Sequence, residues 1–236
     1  MNHPGEHNEF YVRHFQISPI RIDYTQCISN NMTVKISRKP YRSATREAAA
    51  DETRARIVDA ARTLLAGGED VPAFSLEGVA RKAGVTRLTV YNAFESKRGL
   101  LEAVFDSMAR QGGLFELPAL FGEPDTDKAL GRLVSVFCRF WADHVKVIPT
   151  ISAVAKLDDE IAQSLKERSE RRRQVLTVLI GRIASGQDQT DLVDVLFALT
   201  SFEMWDTLSV HRRSKKAVEA LIQQLVDDSL RRFSGG

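Results

Sequence analysis

The chain has 236 residues, of which 43% are hydrophobic and 27% charged, and its formal net charge is +2. This composition can fill the core of one large or two modest domains, and it excludes a polybasic chain. The cysteines Cys27 and Cys138 lie far apart, so we expect neither a disulfide framework nor a zinc site. No apolar stretch approaches the ~20 residues that a membrane span needs. We therefore expect a cytoplasmic protein without a metal ion or other cofactor.

Residues 1–46 read as an N-terminal extension. Residues 1–31 mix Asn, His, aromatic and Pro residues without a helical period, so we expect disorder there, and Met32 is an alternative start. Residues 35–46 form a basic arm with Lys35, Arg38, Lys39, Arg42 and Arg46. Two interpretations of the arm stay open: a solvated tail, or a segment that contacts phosphates or the minor groove.

Residues 53–94 carry three amphipathic helical patterns separated by turn signals. The second pattern runs from Ser75, a good N-cap, to Ala83, and Gly84 ends it because glycine tolerates the left-handed conformation. Thr86 can then cap the third helix. The apolar positions share one face of each helix: Ile57, Ala60, Ala61, Leu64 and Leu65; Leu76, Val79, Ala80 and Ala83; Val90 and Phe94. Three such helices bury a small common core, as helix-turn-helix domains do.

The third helix leaves polar side chains on its open side, which suits a groove lined with phosphates and base edges. An Arg can pair bidentately with guanine and an Asn with adenine, which favours base contacts for Arg87 and Asn92. The candidate DNA-binding residues are Thr86, Arg87, Thr89, Tyr91, Asn92 and Lys97. The competing interpretation is a three-helix unit with an ordinary polar outer face.

The rest of the chain reads as helices without strands or repeats. The pattern predicts helices over residues 96–110, 127–146, 150–155, 158–184, 191–210 and 214–232, with loops over 112–125 and 186–190. We therefore predict an all-α protein with a helix-turn-helix domain at 47–98 and a larger helical domain at 99–236. The charged run 167–173 reads as a solvated helix face with i, i+3 and i, i+4 ion pairs.

An aromatic stripe in the larger domain admits two interpretations. Phe137, Phe140, Trp141 and His144 share one helix face, and Phe202 and Trp205 lie on the penultimate helix. An ordinary core face is the interpretation we favour for most of them. The alternative is a ligand pocket between helices, where aromatic and a few polar groups converge.

The segment AGVTRLTVYNAFESKRGLLEAV resembles the TetR family of transcriptional regulators. The matching positions combine a turn, a cap, an aromatic and a cation: Ala83, Gly84, Val85, Thr86, Thr89, Tyr91, Phe94, Lys97 and Leu100. The preceding ETRARIVDAARTLLA is similar to that family's first helix, so the resemblance covers residues 52–104. It departs from the family at Leu88, usually a small residue or Pro, and at Asn92-Ala93, a pair that often contains His.

The resemblance implies a repressor that binds a palindromic operator as a homodimer and leaves it when a small effector of unknown class binds the larger domain. It also implies that Thr86 and Thr89 contact backbone or base edges, that Tyr91 and Lys97 contact phosphates, and that the last two helices form the dimer interface. The alternative is a helical small-molecule-binding or protein-partner module without DNA function. An enzyme is not expected, because the sequence has no nucleophile–base pair, HExxH spacing or phosphate-binding Gly loop.

Overall fold

A computed structural model describes residues 44–68, 74–183, 189–210 and 213–234. The described residues are helical and contain no strand, which confirms the all-α prediction. No helix among them is long and apolar enough to cross a membrane. In chain order the helices are α1 Ala44–Gly67, α2 Leu76–Ala83, α3 Arg87–Phe94, α4 Lys97–Gly112, a 3₁₀ helix Leu114–Gly122, α5 Thr126–His144, α6 Ile148–Ala155, α7 Asp159–Ile180, α8 Thr190–Leu199, α9 Phe202–Ser209 and α10 Lys215–Ser234.

The apolar faces of α1 to α4 bury one common core. Ile57, Val79, Val90 and Leu100, one from each of these helices, have no exposed surface. The same core includes side chains of α6 and α7, such as Ile151. The helix-turn-helix unit therefore rests directly on the larger helical domain, and α4 crosses the boundary predicted at residue 98.

A second core lies among α5, α7, α8 and α10. Its fully or almost fully buried members include Leu133, Leu176, Leu196 and Ile222, one from each helix. These positions recur at three- and four-residue spacing within each helix, which is why the amphipathic pattern could be read from the sequence. Between the two cores lie α4, α5 and α7; of these, α5 carries the aromatic positions 137–144 and α7 carries the charged run.

The first helix begins nine residues earlier than predicted, at Ala44 instead of residue 53. The added turns are rich in Ala and Glu, which are strong helix formers, but their described side chains are mostly exposed, so they show no apolar period. The last three residues of the predicted N-terminal extension are therefore helical. Residues 1–43, with the remainder of the predicted basic arm, lie outside the described residues.

Two further predictions about secondary structure were wrong. Residues 112–125 were expected to be a loop, but they include the 3₁₀ helix, which buries Leu117 and Leu120. The helix predicted over 191–210 is broken into α8 and α9 at Thr200 and Ser201. The Thr200 hydroxyl donates to the Leu196 carbonyl, and Ser201 Oγ accepts the Met204 amide at 3.1 Å as an N-cap. Hydroxyl side chains of this kind compete with the backbone for hydrogen bonds and end helices.

Candidate nucleic-acid interface and helical cavity

The turn between α2 and α3 is built by Gly84. Its φ of 66° and ψ of 36° place it in the left-handed region, where a side chain would be strained. The amide of Gly84 donates to the Arg81 carbonyl at 3.3 Å, and the amide of Val85 donates to the Ala80 carbonyl at 3.0 Å. These bonds satisfy the last carbonyls of α2 and fix the direction in which the chain enters α3.

Hydroxyl caps fix the starts of α3 and α4. Thr86 Oγ1 accepts the Thr89 amide at 3.1 Å and lies 2.8 Å from the Thr89 hydroxyl. Ser96 Oγ accepts the Gly99 amide at 2.9 Å. Between them Glu95 adopts a φ of 64°, so that α3 ends and α4 begins within two residues. The cap predicted at Thr86 is therefore present, and Ser96 caps α4 in the same way.

The inner face of α3 contacts α1 through Arg54. Phe94 is 5% exposed, and the Arg54 guanidinium lies 4.2 Å above its ring centre. Arg54 also donates to the carbonyl of Ala93 at the C-terminal end of α3, where the helix dipole favours a cation. This contact orients α3 about its own axis, so the opposite face of the helix points to solvent.

The outer face of α3 carries the predicted DNA-binding side chains. Thr86, Arg87 and Asn92 are exposed, Tyr91 is 55% exposed, and Thr89 is half-buried. Leu88, where the resemblance is broken, is 65% exposed on the same short helix. The structure thus brings these polar groups together on one surface, with an apolar side chain among them.

Lys97 lies in the first turn of α4, beside that surface. Its Nζ is 3.8 Å from Asp158 Oδ2 and 5.7 Å from the centre of the Phe74 ring. Asp158 is the N-cap of α7, where its side chain accepts the Ile161 amide. The contact with Asp158 was not predicted, and it ties the candidate phosphate anchor to the larger domain.

Sequence reasoning missed two cations near this surface. Arg81 and Lys82 are exposed in the last turn of α2, directly before the turn glycine. Their position next to the helix-turn-helix could have singled them out, because phosphate contacts often come from cations flanking the reading helix. They widen the basic border of the α3 surface.

The comparisons with known proteins agree with this geometry. The family model for bacterial regulatory proteins of the tetR family matches residues 57–104, which span the C-terminal half of α1 through the first half of α4. The N-terminal domain belongs to the TetR family. The resemblance stated from the sequence is therefore confirmed for this domain.

One curated relative is similar to this chain over a short stretch. The HTH-type transcriptional regulator TtgW of Pseudomonas putida, itself uncharacterised, is 48% identical over 60 residues, which are 25% of this chain and 44% of that protein. The chain thus spans less than half the length of this curated relative.

Solved structures extend the likeness to the larger domain. A protein assigned to the TetR family from Mesorhizobium loti MAFF303099 superposes with a TM-score of 0.57 at 19% identity, over 78% of this chain and 97% of that one. A transcriptional regulator from Saccharomonospora viridis, solved in complex with choline, also gives 0.57 at 19% identity, over 77% and 96%. At this identity the likeness shows a shared fold.

The larger helical domain contains a cavity of about 290 Å³. Four of the six residues predicted for a ligand pocket line it, namely Phe137, Phe140, Trp141 and Phe202. The remaining two do not. Trp205 is 5% exposed in the second core and stacks on Phe202, with ring centres 6.4 Å apart. His144 is 3% exposed and faces α4.

His144 is a satisfied core histidine. Its Nε2 lies 3.1 Å from the Met108 carbonyl, and its ring packs edge-on against Phe140. Burial lowers the pKa of His144 below its usual range, while the contact with Met108 and nearby Asp143 partly oppose this. The imidazole is therefore neutral in the folded protein near pH 7, with a donor directed at a backbone carbonyl.

We expect acidification to destabilise the protein through His144. Its pKa is lower in the folded than in the unfolded state, where it is about 6.5, so the unfolded chain binds more protons and stability falls as pH drops below about 6.5. Above that pH the contribution of His144 to the free energy of unfolding is fully present. Urea unfolding on both sides of that pH measures the slope, and His144→Gln, which keeps a donor, should flatten it. An unchanged slope in the variant would refute this role.

The charged run 167–173 is not wholly a solvated face, which corrects the sequence interpretation. Arg172 is only 9% exposed and lines the cavity together with Arg168 and Arg171. Arg173 does behave as predicted, since it lies 4.0 Å from Glu170, and it also pairs with Asp194 on α8. The helical period separates these neighbours: residues 168 and 172 are four apart and share the inner face.

The described residues contain no group of three or more metal-ligating side chains. Cys138 is buried on α5, and burial, with a contribution from Glu219, raises the pKa of its thiol to about 12. The thiol therefore stays protonated and packs as a small apolar group.

Proposed function

We propose that this chain is a sequence-specific DNA-binding transcriptional regulator, acting in the cytoplasm as a homodimeric repressor that a small molecule releases from a palindromic operator. The observation that carries the proposal is the two-faced α3 helix. Its inner residues Val90 and Phe94 are buried in the core that α1 to α4 share, and its outer residues present an arginine, a tyrosine and an asparagine to solvent. A face of this kind fits the major groove.

On DNA, α3 lies in the major groove with its N-terminal end towards the base edges. Arg87 and Asn92 are placed to read bases, and Thr86, Thr89 and Tyr91 to contact the backbone or nearby base edges. The amides at the start of α4 and the ammonium of Lys97 converge on one phosphate, because a helix N-terminus favours an anion. Arg81 and Lys82 add cations beside this site.

Two copies of α3 must face the same side of the duplex, about 34–36 Å apart, for both halves of a palindrome to be read. The C-terminal helices supply the dimer interface in this proposal. Apolar side chains remain accessible there, with Val210 68% and Phe233 39% exposed after α9 and near the end of α10. Burying them against a second copy removes apolar surface from water.

The helix α7 is the element that can connect an effector to DNA. It lines the cavity, and three ion pairs join it and its N-cap to α4: Asp158 with Lys97 at 3.8 Å, Glu167 with Arg98 at 3.8 Å, and Arg168 with Asp106 at 3.4 Å. A ligand that shifts α7 therefore shifts α4 and the α3 helix packed on it. Release requires that the ligand prefer the shifted conformation, since equal affinity for both moves no population.

The choline-bound regulator of Saccharomonospora viridis, which shares this fold, supports the expectation that a small molecule is the effector. For this chain the lining of the cavity supports a mostly apolar ligand, because Phe, Leu, Ile and Trp side chains form most of the wall. The site residues proposed are Phe137, Phe140, Trp141 and Phe202, and His144 and Trp205 are not among them.

Arg87→Ala should weaken binding to the operator by about 1–3 kcal/mol and relax the base preference at one position. The reason is that alanine cannot form the bidentate hydrogen bonds that a guanidinium makes with guanine at that base pair. Fluorescence anisotropy with the operator and with its single-base variants measures both the loss of affinity and the change in base preference. Equal weakening on every sequence would make Arg87 a phosphate contact and overturn its assignment as a reading residue.

Lys97→Ala should weaken binding to all sequences alike. Removing one phosphate contact reduces the number of counterions released, so the slope of log affinity against log salt should become shallower by about one unit per protomer. Titrations from about 50 to about 200 mM salt provide the measurement. Asp158→Asn is the informative partner variant, because it frees the Lys97 ammonium and should not weaken binding. A sequence-selective loss of affinity in Lys97→Ala would contradict the assignment.

The direct test of the function is binding of the full chain to the DNA that flanks its own gene. A salt-sensitive complex that survives an excess of unrelated duplex is expected. No complex at low salt, with or without candidate ligands, would favour the alternative of a helical small-molecule-binding or protein-partner module.

A further inference from the structure

The wall of the cavity combines two kinds of side chain that seldom meet. Most of it is aromatic or aliphatic, with Phe105, Phe137, Phe140, Trp141 and Phe202 from α4, α5 and α9. The arginines of α7 complete it. An apolar wall lowers the local dielectric constant, so a charge on that wall interacts strongly with any ion that enters.

Arg172 is a buried guanidinium without a carboxylate partner in the described part of the chain. Its Nη1 donates to the Phe197 carbonyl at 3.0 Å and to Thr200 Oγ1 at 3.1 Å. Its planar group stacks on Phe197 at 4.0 Å and lies 5.6 Å from the Phe137 ring centre. These contacts fix the position of the guanidinium at the cavity wall, and they leave its Nε and Nη2 without a hydrogen-bond acceptor among the described residues.

The surroundings of Arg172 balance its charge only in part. The carbonyl end of α8 provides a partial negative charge of roughly half an elementary unit. Glu203 lines the same cavity, but its side chain is exposed and forms no ion pair with Arg172. Burial lowers the pKa of Arg172 to about 10, and Glu203 acts against this shift. The guanidinium is therefore protonated at neutral pH and retains a buried charge that is only partly compensated, which is costly.

The neighbouring arginines add to this positive charge. Arg168 pairs with Asp106 at 3.4 Å through Nη2, while its buried Nε has no hydrogen-bond partner in the part of the chain that the structure describes. Arg171 donates to the Glu167 carbonyl, not to its carboxylate. Within the described residues, cations at the cavity outnumber carboxylates, so an entering anion is favoured and an entering cation is disfavoured.

We propose that the cavity binds an amphipathic monocarboxylate, with its carboxylate on Arg172 and its apolar body against the aromatic wall. The volume suits about a dozen non-hydrogen atoms, because a dry cavity of about 150 Å³ holds one benzene. A guanidinium is the group best matched to a planar carboxylate. Release of DNA by such an acid rests on the proposed function, whereas binding of the acid to the cavity does not.

Calorimetric titration of the full chain tests the proposal with acids and amides of equal size. The probes are 4-phenylbutyrate and decanoate, the matching amides 4-phenylbutanamide and decanamide, and the cation tetraethylammonium. At least one acid should bind about tenfold or more tightly than its amide, because the carboxylate adds a charge–charge attraction to the guanidinium that the neutral amide lacks. Equal affinity of acid and amide, no binding by either acid, or tighter binding of tetraethylammonium would overturn the proposal.

Arg172→Met assigns the effect to one side chain. It should reduce the affinity for the acid to that of its amide and leave the amide affinity unchanged. Arg173→Met, one residue further along α7 and outside the cavity wall, is the matched control and should keep the preference for the acid. A folded Arg172→Met that retains the preference would refute the assignment. If circular dichroism shows that this variant does not fold, the wild-type comparison of acid with amide decides.

DNA release is measured separately, by anisotropy of a labelled operator in the presence of each acid. A chain that binds the acid and no DNA retains this inference and loses the proposed function. A chain that binds DNA and neither acid loses this inference alone.

Discussion

Gly99→Ala is expected to cost about 3 kcal/mol or more of folding free energy and to abolish DNA binding. A Cβ atom at position 99 would lie 2.2 Å from the carbonyl oxygen of Phe94, which is backbone and cannot rotate away. Either α4 must move from the end of α3 or the turn between them must open. Forced overpacking typically costs about 1–3 kcal/mol and occasionally more, and a contact this short with backbone puts position 99 at the upper end. Urea unfolding by circular dichroism and anisotropy with operator DNA measure the two effects.

Gly67→Ala is the matched control for this substitution. Position 67 also lies within a helix of the N-terminal domain, but a Cβ there meets nothing within 4 Å. Alanine favours the helix over glycine, so the control should be neutral or slightly stabilising. If Gly99→Ala unfolds at the same urea concentration as wild type, the tight junction between α3 and α4 is not what holds the reading helix in place.

Phe94→Ala should destabilise the protein by about 3–5 kcal/mol, the range for removing a buried aromatic side chain. Phe94 is 5% exposed, and its removal also deletes the surface on which Arg54 stacks. The α3 helix should then lose its orientation, and operator affinity should fall together with stability. Chemical unfolding and DNA titration on the same preparation test whether the two losses occur together.

Leu88→Ala separates the two faces of the same helix. Leu88 is 65% exposed, so its truncation should leave the unfolding free energy within about 0.5 kcal/mol of wild type. A change in operator preference without a change in stability would place Leu88 at the DNA. A large loss of stability in Leu88→Ala, with little loss in Phe94→Ala, would mean that α3 presents the opposite face.

The helix-turn-helix unit could be predicted closely from the sequence, because its caps and its turn are encoded locally. Ser75, Thr86 and Ser96 each accept an amide three residues further on, and Gly84 adopts the left-handed conformation expected of it. Such signals lie within a few residues of the feature that they specify. The length of α1 was missed because its first turns have no buried face to create a period.

The aromatic wall of the cavity could be predicted from the sequence, but its buried arginine could not. Phe137, Phe140 and Trp141 were found because aromatics at helical spacing stand out. Arg172 was missed because nearly every residue around it in the sequence is charged. Such a run favours a helix face exposed to solvent and does not show which of its residues is buried. Which face of α7 turns inward depends on its packing against α4 and α8, and that is a property of the tertiary structure.

The central claim is that two α3 helices of a homodimer read a palindromic duplex. Selection of bound fragments from a random DNA pool by the full chain tests it most directly, because one measurement reports the operator, its symmetry and the dimer. The claim predicts an inverted repeat whose half-site centres lie about one helical turn apart, and Arg87→Ala should relax one base pair in each half. Recovery of no sequence, or of a single asymmetric site, would contradict it.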